Sequence, residues 1–116
     1  MRTADRLRAI LDEFPDASVP VLEDSELQIF RTLRTQGERA VKGRLISRHR
    51  FEVRRRPMGT DLVMEIEGRH AMAVAQQLAK RFQIVEDVGS VEITRTKHGV
   101  VFALRARSKD EGDRQG

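Results

Sequence analysis

The chain has 116 residues, 39% apolar and 34% charged, with a formal net charge of +4 and no cysteine. That length suits one domain with a real core, and the lack of cysteine removes disulfides and thiolate chemistry and points to a reducing cytoplasm. No apolar run approaches a membrane span, and the opening MRTADRLRAILDEF interleaves charge with apolar positions instead of building a signal peptide.

The charge is unevenly spread. Residues 1–30 carry three basic and seven acidic groups, residues 31–56 ten basic and two acidic, and residues 57–116 nine of each. A concentrated positive segment attracts polyanions more than the total charge suggests.

Taken in order, Thr3 can cap a first helix through Phe14, with Leu7, Ile10, Leu11 and Phe14 at helical spacing. Pro15 ends it, and residues 15–24, with two prolines, read as a connector. A second helix, capped by Asp24 or Ser25, runs to about Gln36; Leu27, Phe30 and Leu33 share a face, and Gly37 is placed to stop it.

Residues 41–56, VKGRLISRHRFEVRRR, read as an extended strand. Alternate positions put Lys42, Arg44, Arg48, Arg50, Arg54 and Arg56 on one face, with Ile46 and Glu52, and leave a mostly uncharged face opposite. A helix over residues 38–49 stays open, because Val41 and Leu45 lie four apart. It would permit a winged-helix arrangement of residues 3–67, with that helix as the reading element.

Pro57 and Gly59 supply turn chemistry, and Leu62, Met64 and Ile66 alternate with Val63, Glu65 and Glu67. A four-residue loop of 57–60 sets Val53 opposite Met64, Phe51 opposite Ile66, Arg50 against Glu67 and Arg56 against Asp61. A third helix follows Gly68, its stripe built by Ala71, Val74, Ala75, Leu78, Ala79 and Phe82. A second hairpin turns at His98-Gly99, which sets Ile93 opposite Leu104 and Val91 opposite Ala106. The tail 108–116 is charged and reads as disordered.

The expected fold is therefore α+β: a single domain over residues 1–107 whose 25–107 core is an αββαββ four-stranded antiparallel sheet with helices on one face, preceded by one N-terminal helix. Its solvent face would present Lys42, Arg44, Arg48, Arg50, Arg54, Arg56, Arg105 and Arg107.

Over residues 25–107 this order resembles the LAGLIDADG homing-endonuclease fold and its non-cleaving relatives in bacterial transcription regulators. In that family a helix ending in glycine packs against its counterpart in a second copy, and the outer sheet face lies in the DNA major groove. The resemblance implies that Gly37 stands at the family glycine and that a homodimer is one arrangement. Gln36 occupies the place of the family's metal-binding acid, which points to binding without cleavage.

Chemistry is not signalled elsewhere. His49, His70 and His98 lack metal-site spacing, the eight glycines form no phosphate loop, and no serine sits in an activating motif. Neither an enzyme nor a cofactor is expected. Arginine forks suit phosphates and guanine edges, and the phenylalanines all fall on core stripes, away from any stacking surface. The expectation is a nucleic-acid-binding protein, with duplex DNA favoured. The alternative is a small regulatory or phage-type module that docks on an acidic protein partner.

Overall fold

The computed structural model describes residues 22–107. The expected first helix, most of the connector and the tail lie outside them. The described elements are helix α1 (Asp24–Val41), strands β1 (Arg48–Arg56) and β2 (Gly59–Glu67), helix α2 (Ala71–Phe82), and strands β3 (Val88–Arg95) and β4 (Gly99–Ala106). The strands form one antiparallel sheet in the order β1-β2-β4-β3, so the chain is an αββαββ, α+β fold.

Both helices cover one face, because each has a single apolar stripe that must leave water. Leu27, Phe30, Leu33, Val74, Leu78 and Phe82 from the helices meet Leu62, Met64, Ile66, Val100, Phe102 and Leu104 from the two central strands. None of the described helices is long and apolar enough to cross a membrane.

Helix α1 is capped one residue before the earlier of the expected caps, Asp24 and Ser25. Glu23 is the N-cap, its backbone N–H donates to Glu26 Oε1 at 3.0 Å, and the buried Leu22 and Leu27 hold the two positions of a hydrophobic staple. The helix also continues past Gly37 to Val41, which corrects the expected stop and removes Lys42 and Arg44 from any strand. The reason is packing. A Cβ at position 37 would stand 2.7 Å from Met64 Sδ and 2.9 Å from the Phe51 ring, so glycine lets the helix backbone approach the sheet. That contact outweighs a helix-propensity cost of about 1 kcal/mol.

Both hairpins form, with registers two residues away from the expected ones. Pro57-Met58 is a two-residue turn, so Val53 pairs with Leu62 and Phe51 with Met64. The second turn is Lys97-His98, closed by Thr96 N–H to the Gly99 carbonyl at 2.9 Å and by Gly99 N–H to Thr96 Oγ1 at 3.1 Å, so Ile93 pairs with Phe102 and Val91 with Leu104. A shift of two preserves which side chains share a face, since the strand period is two. The face assignments therefore stand, while the individual cross-strand partners change.

Candidate nucleic-acid interface

The sheet face away from the helices carries Arg48, Arg50, Arg54 and Arg56 on β1 and Arg105 on β4. Register brings five carboxylates onto the same face: Glu52, Asp61, Glu65, Glu67 and Glu92. The strand-borne charge of this face is thus balanced, a consequence that the isolated basic segment does not reveal.

Four of these groups close into a ring. Arg50 Nε meets Glu65 Oε2 at 2.6 Å and its Nη2 meets Glu52 Oε2 at 3.0 Å; Arg54 Nε meets Glu52 Oε1 and its Nη2 meets Glu65 Oε1, both at 2.6 Å. Each carboxylate gives one oxygen to each arginine. Hydrogen bonding to Arg54 holds Glu52 below the ordinary carboxylate range, and the Glu65 and Glu52 carboxylates raise Arg50 and Arg54 respectively. Val63 shares this face yet is only 1% exposed, because the ring and its neighbours shield it.

Near the start of β2, Asp61 is a buried carboxylate shared by two arginines. Arg56 Nε reaches Oδ2 at 2.6 Å, while Arg105 Nε and Nη2 reach Oδ1 at 3.1 and 3.0 Å. The expected Arg56–Asp61 pair exists, but as a diagonal contact, with Arg54 directly opposite Asp61.

A different set of cations gathers at the end of the sheet where β1 begins and β2 ends. Three segments converge there: residues 42–47, residues 68–70 and the turn at 97–98. Ser47 N–H donates to the Glu67 carbonyl at 2.9 Å, Leu45 N–H to His70 Nδ1 at 3.0 Å, His70 N–H to the Leu45 carbonyl at 3.2 Å, and Gly68 N–H to the His98 carbonyl at 3.1 Å. Gly68 has φ +131°, and a Cβ there would lie 2.5 Å from the Leu45 carbonyl oxygen, so this junction requires glycine.

These segments, with the first residue of β1 and the last of β3, bring Lys42, Arg48, Arg69, Arg95 and Lys97 to one rim. All five are exposed, and none makes an ion pair among the described residues. Glu67 is an acidic side chain at this rim, with Glu65 beside it and Glu38 against His49. Two shallow depressions flank Glu65 and Glu67, one toward Arg48 and Arg50, the other toward Lys97 and His98.

The expected site residues are therefore divided. Arg48, Arg50, Arg54, Arg56 and Arg105 share the outer face, Lys42 lies at the rim, and Arg44 turns to the helix layer, where its Nη2 donates to Gln77 Oε1 at 2.8 Å. Arg107 follows β4 at the opposite end, its backbone N–H on the Asp87 carbonyl. No family model, curated protein or solved structure matches this chain.

Sequence reasoning missed Arg69, Arg95 and Lys97, because they are isolated charges in separate segments and only the sheet topology makes them neighbours. It also scattered the three histidines, which all fall at this end: His49 with its Nε2 3.2 Å from Glu38 Oε2, His70 at the N-cap of α2, and His98 in the turn. Phe30, Phe82 and Phe102 are buried and Phe51 packs on Gly37, so no described phenylalanine ring is presented for base stacking.

Proposed function

We propose that this chain is a non-enzymatic nucleic-acid-binding protein, with duplex DNA as the favoured ligand, that meets the phosphate backbone with the rim and the adjoining outer sheet face. The observation that carries this reading is the gathering of Lys42, Arg48, Arg69, Arg95 and Lys97 from separate segments onto one end of the sheet. Unpaired exposed cations at one rim suit a ligand with repeating negative charge. The packing of the described phenylalanine rings into or against the core favours a duplex held by its backbone over a strand held by stacking. The element order, which resembles the LAGLIDADG fold, is compatible with an outer sheet face laid against DNA, and the contact is here extended from that face to the rim.

The test is fluorescence anisotropy with a labelled duplex of about 30 base pairs and its single strand, at about 50 and about 200 mM salt. Tight duplex binding that weakens steeply with salt supports the proposal. Absence of binding to both at low salt removes it and leaves the acidic protein partner as the next ligand to seek.

A further inference from the structure

The Asp61 cluster differs from every other charged group on the sheet. Asp61 is buried, its side chain only 9% exposed, and each of its oxygens is engaged by an arginine from a different neighbouring strand. Arg56 comes from β1 and Arg105 from β4, so the two guanidinium groups flank β2 on the outer face. One carboxylate against two guanidinium groups leaves a local charge of +1, whereas the Arg50–Glu65–Arg54–Glu52 ring is neutral.

The orientation is as telling as the charge. Both arginines meet Asp61 through the Nε edge of the fork, so the far nitrogens remain as donors directed away from the carboxylate. The side chains are 56% and 35% exposed, which keeps those donors within reach of a ligand. A carboxylate that fixes the Nε edge removes rotamer freedom from a long side chain before any ligand arrives. Arg105 also lies across β2's first residue: a Cβ at Gly59 would stand 3.6 Å from its Cδ and Nε, within ordinary van der Waals contact.

We infer that Arg56 and Arg105, held side by side on the buried carboxylate of Asp61, form a clamp for one phosphate group. Resting on the function proposed above, that phosphate is a diester of the nucleic-acid backbone. Each guanidinium supplies charge-assisted N–H donors to the phosphate oxygens, and Asp61 acts as a positioning residue that does not touch the ligand.

The sign of one substitution separates positioning from bulk charge. If the arginines act only as charges, Asp61→Asn removes a negative group and strengthens anion binding. If Asp61 positions them, the same change weakens it. Asp61 is buried, so a second variant guards against loss of folding: Arg56→Lys with Arg105→Lys keeps the charge and removes the forks.

The experiment follows the arginine Nε–H signals of the full ¹⁵N-labelled chain by NMR, titrated first with inorganic phosphate and then with a duplex of about 16 base pairs. The clamp predicts that the Arg56 and Arg105 signals move together with both ligands, and that Asp61→Asn and the double lysine variant each lower affinity by about fivefold or more. Stronger binding by Asp61→Asn, or unchanged binding by the double lysine variant, overturns the clamp. If duplex moves other arginines but leaves these two still, the clamp falls and nucleic-acid binding stands. If phosphate moves the pair and duplex moves nothing, the clamp stands and the nucleic-acid reading falls.

Discussion

Val63 on β2 pairs with Ala103 on β4, and the two stand forty residues apart in the chain. The same spacing relates the Pro57-Met58 turn to the Lys97-His98 turn and Gly59 to Gly99. One hairpin thus maps onto the other about a pseudo-two-fold axis that passes between Val63 and Ala103. The charges follow it only at Glu52, which corresponds to Glu92, and at Arg55, which corresponds to Arg95. Arg50, Arg54 and Arg56 correspond to Ser90, Thr94 and Thr96, so the fold repeats while the β1 half alone is arginine-rich.

Gly37→Ala tests the helix–sheet contact. Helix propensity alone favours alanine by about 1 kcal/mol. The added Cβ would crowd Met64 Sδ and the Phe51 ring, and overpacking of this kind costs about 1–3 kcal/mol. A net loss of stability is expected in urea unfolding, and a stabilised variant would show that the approach is looser than described.

The ion-pair ring has a pH signature. Its Arg54 partner lowers the folded Glu52 pKa, so the ring's contribution is present above the ordinary glutamate value of 4.5 and is lost as pH falls through the lower, folded value. Glu52→Gln should therefore be less stable than the parent at neutral pH, with the gap closing in acid. A gap constant from pH 7 to about pH 2 would remove the assignment.

Neutralised and unpaired cations should behave differently on substitution. Arg48→Ala with Lys97→Ala is expected to leave unfolding unchanged within about 0.5 kcal/mol, while lowering duplex affinity and flattening the salt slope by up to about two units. Arg50→Ala with Arg54→Ala strands Glu52 and Glu65, so it should cost stability of about 1 kcal/mol as well as affinity. Equal stability losses in both pairs would contradict the partition made here.

Glu52→Gln with Glu65→Gln removes the carboxylates and frees both arginines. Duplex affinity at low salt should rise and its salt dependence steepen. Weaker binding in a folded variant would mean that the ring orients Arg50 and Arg54 for contact instead of neutralising them.

His70 fastens residues 42–47 to the start of α2 by accepting the Leu45 N–H. His70→Leu removes the acceptor, and amide exchange at Leu45 should quicken by about tenfold while that of core strand β4 is unchanged. Unaltered exchange at Leu45 would show that the Leu45 carbonyl bond to His70 N–H holds the segment by itself.

The sequence by itself determined the element order of residues 25–107, the stripes of both helices, and which side chains of each strand share a face. These are local properties, since a period of two or of 3.6 is written in adjacent residues and survives an even slip in pairing. Tertiary structure decided the rest. Register depends on where each turn closes, so Phe51 met Met64 instead of Ile66. Whether Gly37 ends a helix or lies inside one depends on Met64 and Phe51, which are remote in the chain. The outer face lost its net charge because Glu65 and Asp61 arrive from β2, and the unpaired cations of the rim come from stretches remote in the chain that only the sheet brings together. Charge acts between neighbours in space, and one segment's composition cannot show which neighbours it will have.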